Sequence, residues 1–297
     1  SGFLGRALAQ ELAAEGSEVV ILTRTPRNAP TPLLREIAWD GASRGDWIRE
    51  LDGAHAVVNL TGRNVDCRYT PANKREIIDS RVASVSVLGQ AVGRVQRAPR
   101  VWVQASSLAI YGDAGDRVCE EDAPHGSDFG AEVCELWERA FDEQQLPGVR
   151  KVVLRIGFVI GSSGGALKRL TSLVQAGLGG TVGSGKQYIS WLHIADMNGL
   201  FRAALSRSDF NGTYNATGPA PVTNREFMRV LRAVLGRGWA PPTPAFAARL
   251  GAFFLRTEAS LALSGRRCVP RRLREQGFGF QWPQLETALR DVLRVGE

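Results

Sequence analysis

The stretch SGFLGRALAQELAAEGSEVVILTR, residues 1–24, decides the fold of this chain of 297 residues. Two glycines, Gly2 and Gly5, open a helical pattern in which leucines recur at every fourth position. Gly16 ends that pattern, and residues 18–23 then form a largely apolar run that is typical of a strand buried on both faces. This order of glycine turn, helix and buried strand indicates the second half of a dinucleotide-binding βαβ unit, in which helix N-terminal amides bind a pyrophosphate.

The first strand of such a unit would lie ahead of Ser1. In a doubly wound sheet that strand is central, and its neighbours would have unpaired backbone groups without it. We therefore expect that the first strand is missing from this sequence, and that the natural protein carries roughly ten further residues that end in the first glycine of the motif.

The residue at the end of the first predicted strand selects the coenzyme. Folds of this type that bind NAD usually carry an acid here, which accepts a hydrogen bond from the ribose 2′-hydroxyl. This chain has Arg24 instead, with a second cation at Arg27. Because a guanidinium pairs well with a phosphate, we predict NADP(H) as the cofactor. The alternative interpretation of Arg24 is a solvated surface arginine.

Strand and helix patterns alternate through the first 180 residues. Strands are predicted at residues 36–39, 54–60, 100–105 and 150–156, and helices at 75–95, 129–141 and 164–178. This alternation predicts an α/β fold with a doubly wound parallel sheet and a smaller C-terminal α+β lobe. We divide the chain into a cofactor-binding domain (1–180), a substrate-side lobe interleaved with it (181–240) and a C-terminal helical domain (241–297).

The composition excludes several function classes. Hydrophobic residues make up 44% of the chain and charged residues 23%, so there is enough apolar material for a core. No stretch approaches the ~18 uncharged residues of a membrane helix, and we expect a cytoplasmic protein without a membrane partner. The net charge of +7 comes from arginines spread along the chain, so we expect no nucleic-acid partner. The four cysteines and three histidines lack metal-ligand spacing, and we predict no metal.

Several short segments together resemble the extended short-chain dehydrogenase/reductases, the nucleotide-sugar epimerase-like superfamily. Within it, the chain is similar to the epimerase-family branch that has its own C-terminal domain and is often labelled as cell-division inhibitors. The segments are SGFLG (1–5), NLTG (59–62), ASSLAIYG (105–112), LRIGFVIG (154–161), GGAL (164–167), SWLHIAD (190–196), YNAT (214–217) and GFGFQWP (277–283). The resemblance therefore covers nearly the whole chain.

The resemblance implies a cofactor site at the carboxyl ends of the strands, where open parallel sheets bind nucleotides. It places the pyrophosphate at Gly2, Phe3, Leu4 and Gly5, and the 2′-phosphate at Arg24. It places the adenine beside Trp39 and Asp40, and the riboses over Asn59, Leu60, Thr61 and Gly62. It places the nicotinamide near Ala105 and Ser106 and beside the turn with Arg155, Gly157 and Val159.

The resemblance also implies a catalytic pattern, a serine or threonine with a Tyr-x-x-x-Lys pair on the following helix. The lysine lowers the pKa of the phenol from ~10 toward neutrality, so the phenol can act as a general acid or base. Ser107 matches the serine and precedes Tyr111 by four residues. The pair itself is missing, because no tyrosine has a lysine four positions later and the helix has Phe129 and Val133 instead.

Two hypotheses stay open. The first is a divergent NADP(H)-dependent oxidoreductase for a small carbonyl or hydroxyl substrate, with Ser107 and Tyr111 as catalytic residues. Weaker candidates for the proton donor are Glu132, Lys186 and His193, although a structural hydrogen bond at a helix start is the stronger interpretation of His193. The second is a non-catalytic NADP(H)-binding protein that senses redox state or presents a surface. The small-molecule substrate stays unidentified, and the resemblance is compatible with a homodimer.

Overall fold

The computed structural model of the protein describes residues 2–27, 31–254 and 256–294. Strands and helices alternate along it. The strands are β1 Val19–Thr23, β2 Leu34–Ala38, β3 Ala56–Asn59, β4 Val101–Ser107, β5 Val118–Cys119, β6 Arg150–Ile156, β7 Phe158–Ile160, β8 Tyr188–Ile189, β9 Trp191–His193, β10 Gly212–Ala216, β11 Val222–Thr223 and β12 Arg267–Cys268. The helices are α1 Phe3–Ala14, α2 Pro71–Val92, α3 Phe129–Asp142, α4 Leu167–Gln175, α5 Ile194–Ser206, α6 Asn224–Val234, α7 Ala245–Phe254, α8 Ser260–Leu263, α9 Arg271–Glu275 and α10 Leu285–Leu293.

The main sheet is parallel. Strand β1 pairs with β2, and a second group of strands runs in the order β3, β4, β6, β10. Strands β4 and β6 form the longest ladder, from Val101 opposite Arg150 to Ser107 opposite Ile156. Because helices lie between these strands in the chain, the connections are crossovers, and the predicted α/β fold class is confirmed.

A slot divides this sheet between β1 and β3. Among the described residues, no ladder hydrogen bond joins the two strands, and both line one continuous cavity. Leu8 and Leu12 of α1 line the same space. The slot lies between β1 and β3, which is where a doubly wound sheet has its central strand.

The sheet separates two apolar cores. Val103 and Leu154 belong to the core on the side of α1 and α5, whereas Trp102 and Val153 belong to the core on the side of α2 and α3. Neighbouring residues of one strand therefore face opposite layers, as the two-residue period of a strand requires. Burial on both faces explains why these strands are almost entirely apolar in sequence.

The C-terminal segment is built into the rest of the molecule. Leu285 and Leu289 of α10 pack with Phe227 and Leu231 of α6 in a third core. Leu273 of α9 is fully buried in the core beside α1 and α5. Strand β12 pairs with β5 of the first half of the chain. The last helices therefore stabilise both the core around α6 and the core beside α1 and α5.

The described residues contain neither a membrane span nor a cluster of metal ligands. None of their helices combines the length and the apolar character that crossing a membrane requires. Among the same residues, no three His, Cys, Asp or Glu side chains lie together as a metal ion would need.

Candidate functional site

A large cavity runs along the carboxyl ends of β1, β3 and β4. Its volume is about 1780 Å³, and it continues into the slot of the sheet. Most of the predicted cofactor residues line it, namely Gly2, Phe3, Leu4, Gly5, Arg24, Trp39, Asp40, Asn59, Leu60, Thr61, Gly62, Ala105 and Ser106. Ser107, the predicted catalytic serine, lines the same cavity. The fold thus gathers these residues around one space.

The glycine turn at the start of α1 has the geometry of an anion site. Gly2 is the helix N-cap, with φ −78° and ψ 179°, and no described side chain caps the first turn. The amides of that turn are therefore left for a ligand at the positive end of the helix dipole. Gly5 keeps the turn close to the end of β3, because a β-carbon on it would lie 3.5 Å from Leu60 Cδ1.

The side chain of Phe3 packs into a cup of glycines. A β-carbon on Gly161, Gly164 or Gly165 would lie 2.6, 3.0 or 3.4 Å from an atom of the Phe3 ring. These distances leave no room for larger residues without a shift of the ring or of the loop. The contact therefore ties the start of α1 to the loop after β7 and holds the glycine turn in place.

The far end of the cavity carries a cation and a preorganised turn. Arg24 is exposed at the end of β1. Trp39 packs against Trp47 with ring centroids 4.9 Å apart and ring planes tilted by 47°, and its Nε1 donates to the Ser43 carbonyl. Asp40 accepts hydrogen bonds from two amides of the turn that follows it, and these bonds lower its pKa to about 2. The Asp40 carboxylate therefore shapes the turn beside the predicted adenine position.

Asn59 positions the turn that ends β3. Its Nδ2 donates to Gln104 Oε1 over 3.0 Å and to Ser84 Oγ over 3.3 Å. Its Oδ1 accepts from the Thr61 amide over 3.0 Å. Asn59 is 2% exposed, so its bonds fix the shape of residues 60–62 from the protein interior. Residues 60–62 form part of the cavity wall.

Ser106 belongs to a buried charge cluster behind the wall. Its hydroxyl donates to Glu138 Oε1 over 2.5 Å. Arg155 donates to both oxygens of the same carboxylate over 2.9 and 2.8 Å. Only 7% of the Arg155 side chain and 12% of the Glu138 side chain are exposed. This bidentate pair links the ends of β4 and β6 to α3.

Three residues predicted to flank the nicotinamide lie outside the cavity lining in this structure. The Arg155 guanidinium is turned toward Glu138 in the interior. Gly157 packs against backbone, because a β-carbon on it would lie 2.5 Å from the Ser190 carbonyl oxygen. Val159 is buried in the core beside α5. All three therefore hold β6, β7 and β9 together.

Tyr111, the candidate proton donor, is buried in the interior. It is 1% exposed, its hydroxyl donates to Asn215 Oδ1 over 2.7 Å, and the same oxygen accepts from Arg155 Nη1 over 2.8 Å. Burial raises the pKa of Tyr111 above its ordinary value. Its proton and its lone pair thus both have interior partners, and Tyr111 lies outside the cavity lining. The catalytic role of Tyr111 stays a prediction, and the geometry gives it no support.

Helix α3 carries hydrocarbon side chains where the family pattern has Tyr and Lys. Phe129 begins the helix, and Val133 is 6% exposed. The ring of Tyr69 meets Phe129 edge to face at a centroid distance of 4.8 Å, and Lys74 Nζ lies 4.8 Å from the Phe129 centroid. Burial raises the pKa of Tyr69 to about 12, so its phenol stays protonated at neutral pH. The sequence patterns do not predict this contact, because Tyr69 lies in the loop before α2, far from Phe129 in the chain.

The weaker proton-donor candidates lie outside the cavity lining. Glu132 and Lys186 are exposed elsewhere on the surface. His193 is 3% exposed, accepts from the Ala195 amide over 3.1 Å and bonds Asp291 Oδ2 over 3.0 Å. The structural interpretation of His193 as a cap at the start of a helix is therefore confirmed. Burial lowers its pKa, which favours the neutral ring.

Several arginines outside the predicted set line the cavity, and one of them lies on α2. Arg81 of α2 lines the same cavity as Ser106 and Ser107. It lies four residues after Ile77 and four before Val85, both of which are fully buried. A cation at helical spacing within an apolar stripe was the signal in the sequence that could have identified it.

Two family models match the chain. The model described as "NAD dependent epimerase/dehydratase family" covers residues 1–217, and the "Domain of unknown function (DUF1731)" covers residues 243–292. The chain belongs to the NAD dependent epimerase/dehydratase family. The second match agrees with the resemblance to the branch of this family that has its own C-terminal domain.

Members of the family align with almost the whole chain. The epimerase family protein SDR39U1 of Bos taurus is 35% identical, over 99% of this chain and 97% of its own length. The epimerase family protein ML0860 of Mycobacterium leprae is 35% identical, over 97% of this chain and 92% of its own. The crystal structure of the human epimerase family protein SDR39U1 with NADPH has a TM-score of 0.86 at 32% identity and covers 99% of this chain and 96% of that chain.

Proposed function

We propose that this family member binds NADP(H) in the cavity and transfers a hydride to or from a small carbonyl or hydroxyl compound. The uncapped glycine turn of α1 fits a pyrophosphate, and Arg24 fits a 2′-phosphate. The human relative whose structure contains NADPH supports the choice of coenzyme. When bound, the coenzyme supplies or accepts the hydride.

The observation that carries an oxidoreductase role is the bonding of Ser107. Its Oγ accepts from the Ala109 amide over 3.2 Å, so the hydroxyl proton is left for an acceptor in the cavity. A substrate oxygen there would receive this hydrogen bond, which strengthens as negative charge grows on the oxygen. Asn59 keeps the neighbouring wall in shape through its bonds to Gln104 and Thr61.

A non-catalytic NADP(H)-binding protein is the second candidate. The hydrocarbon pair Phe129 and Val133 favours it, since neither side chain can move a proton or shift a pKa. The burial of Tyr111 removes one further proton donor from the cavity. A sensor of the redox state would need only coenzyme binding and an accessible surface.

Coenzyme binding is tested by calorimetry with NADPH and NADH. We expect tighter binding of NADPH, and we expect Arg24→Ala to weaken NADPH binding by about tenfold while NADH binding changes little, because the lost bond is charge-assisted. Arg290→Ala removes an arginine from the exposed pair with Glu286 on α10 and serves as the control. Equal affinities for the two coenzymes would overturn the assignment of NADP(H).

Catalysis is tested by transfer of deuterium from labelled NADPH to a panel of carbonyl compounds. We expect Ser107→Ala to reduce the rate by about a hundredfold, in the range found for a lost transition-state donor. Tyr111→Phe is the control and should leave the rate close to that of the wild type, because the Tyr111 hydroxyl faces Asn215 in the interior. Tight NADPH binding without any label transfer would favour the second candidate.

A further inference from the structure

The cavity that Ser107 lines is also lined by Arg81, whose guanidinium has no acidic partner among the described residues. Arg81 forms no salt bridge with any described carboxylate. Two other arginines near the cavity differ, because Arg63 pairs with Glu76 and Arg155 pairs with Glu138. A half-buried cation without a counter-ion is costly, so its position requires a structural cause or a ligand.

The Arg81 side chain is clamped flat. Its Nη1 donates to the Arg63 carbonyl over 3.2 Å and to the Ile77 carbonyl over 2.9 Å. Its Cζ lies 4.9 Å from the centroid of the Trp137 ring. A β-carbon on Gly62 would lie 3.0 Å from the same Cζ. The guanidinium therefore has a fixed orientation, and less conformational entropy would be lost when a ligand binds.

One edge of this guanidinium remains available. The two protons of Nη1 serve the two carbonyls, while Nε and Nη2 donate to no described residue. These two nitrogens share the edge that binds both oxygens of a carboxylate side-on. Arg81 thus combines a fixed guanidinium with an unused two-pronged donor edge, and the residue lines the cavity.

The titratable groups that act on the Arg81 charge are a thiol and a phenol, and both stay protonated at neutral pH, because burial raises the pKa of each to about 12. Burial lowers the pKa of Arg81, and the groups that oppose this shift are the Cys134 thiol and the Tyr69 phenol. Cys134 lies near both residues, because the Ser107 amide and the Arg81 guanidinium each favour its thiolate and so oppose the rise of its pKa. The buried indole N–H of Trp137 has no acceptor among the described residues.

We propose that Arg81 is a substrate-binding residue that holds a carboxylate, and that the compound converted here is an oxo or hydroxy acid whose reacting oxygen meets Ser107. This inference rests on the proposed function and narrows its substrate class to acids. The competing ligand is a coenzyme phosphate. The two roles of Arg81 can be distinguished, because loss of a phosphate contact would alter NADPH affinity and loss of a carboxylate contact would not.

The experiment is calorimetric titration of oxamate and malonate into the full chain, with and without saturating NADPH. We expect Arg81→Met to weaken carboxylate binding by at least about tenfold and to leave NADPH affinity unchanged, because a charge-assisted pair is lost. Arg81→Lys should retain part of the affinity, since an ammonium lacks the fork. Arg63→Met removes a cavity arginine that already has an acid partner, and should bind carboxylates like the wild type.

Gly62→Ala is a second variant that keeps every charge. Its β-carbon would displace the guanidinium from the clamp, so we expect weaker carboxylate binding even if Arg81→Met fails to fold, as checked by circular dichroism. Three results would overturn the proposal: a tenfold loss of NADPH affinity in Arg81→Met, equal carboxylate affinity in Arg81→Met and wild type, or no binding of either carboxylate to the wild type. Carboxylate binding that depends on Arg81 without any NADPH binding would refute the proposed function and retain the anion site.

Discussion

At the scale of individual residues, the buried carboxylate of Glu138 joins two strand ends to α3, because it pairs with Arg155 of β6 and accepts from Ser106 of β4. Replacement of Glu138 by Gln keeps the shape and leaves Arg155 buried without a counter-ion. We expect a loss of about 3–5 kcal/mol in the free energy of unfolding. Urea unfolding followed by circular dichroism measures it.

The control for this prediction is Glu286→Gln, which breaks the exposed pair with Arg290 on α10. That change should cost less than about 0.5 kcal/mol, because an exposed pair gains little over its interaction with water. Similar losses in the two variants would show that the Arg155 pair contributes no more than a surface contact.

His193 makes stability depend on pH. Burial lowers its pKa below the ordinary value of 6.5, so the unfolded chain binds the proton more readily than the folded chain between these values. Stability therefore falls as the pH drops through 6.5 and levels off below the folded-state pKa. We expect His193→Asn, which keeps a good N-cap but does not titrate, to lose less melting temperature than the wild type between about pH 7.5 and pH 5.

The control for the pH measurement is His55→Asn, because His55 is an exposed histidine. This variant should follow the wild-type pH profile. If His193→Asn followed it too, the pH dependence would come from other groups.

At the scale of elements, Gly157 allows β6 to continue into β7 beside β9. A β-carbon there would lie 2.5 Å from the Ser190 carbonyl oxygen and 2.9 Å from Leu108 Cδ1. We expect Gly157→Ala to destabilise the fold by about 1–3 kcal/mol through overpacking. Gly238→Ala meets nothing within 4 Å and should change the unfolding midpoint little. If Gly157→Ala left the free energy of unfolding unchanged, the neighbouring strands would have to separate at little energetic cost.

Most elements could be predicted from the sequence, because buried strands and helices have different periods. The start of α2 differs: prediction places it at residue 75, whereas the helix begins at Pro71. There Thr70 accepts from the Asn73 amide as the N-cap, and proline occupies the first turn. Helix α4 is shorter than predicted, at Leu167–Gln175, because flanking glycines adopt non-helical backbone, with φ +76° at Gly165 and +78° at Gly177.

The candidate site was predictable where the backbone determines position. Strand ends such as Asn59 and Ser107 follow from topology alone. The direction of a side chain requires more information, as Arg155 shows. Strand periodicity places it on the same face as Val153, toward α3 and Glu138, and not in the cavity. Arg81 and Tyr69 meet their partners through contacts between elements that are distant in the chain, and periodicity within one strand or helix does not predict such contacts.

At the scale of the whole molecule, we expect one cooperative unfolding transition. The C-terminal Leu273 is fully buried beside α1 and α5, so the two ends of the chain share a core. We expect Leu273→Ala to lower the stability by about 2–5 kcal/mol while calorimetry still shows a single transition. Leu261→Ala changes a residue that is 48% exposed and should have little effect. A separate early transition in Leu273→Ala would contradict a shared core.

The cup around Phe3 has a consequence for how the family varies. The Phe3 ring packs directly against Gly161 and Gly164, so a larger residue at either glycine can be tolerated only if residue 3 becomes smaller. Across aligned homologues, positions 161 and 164 should accept side chains mainly where position 3 has lost its aromatic ring. The contact between the start of α1 and the loop after β7 should therefore be visible as correlated substitutions at positions 3, 161 and 164.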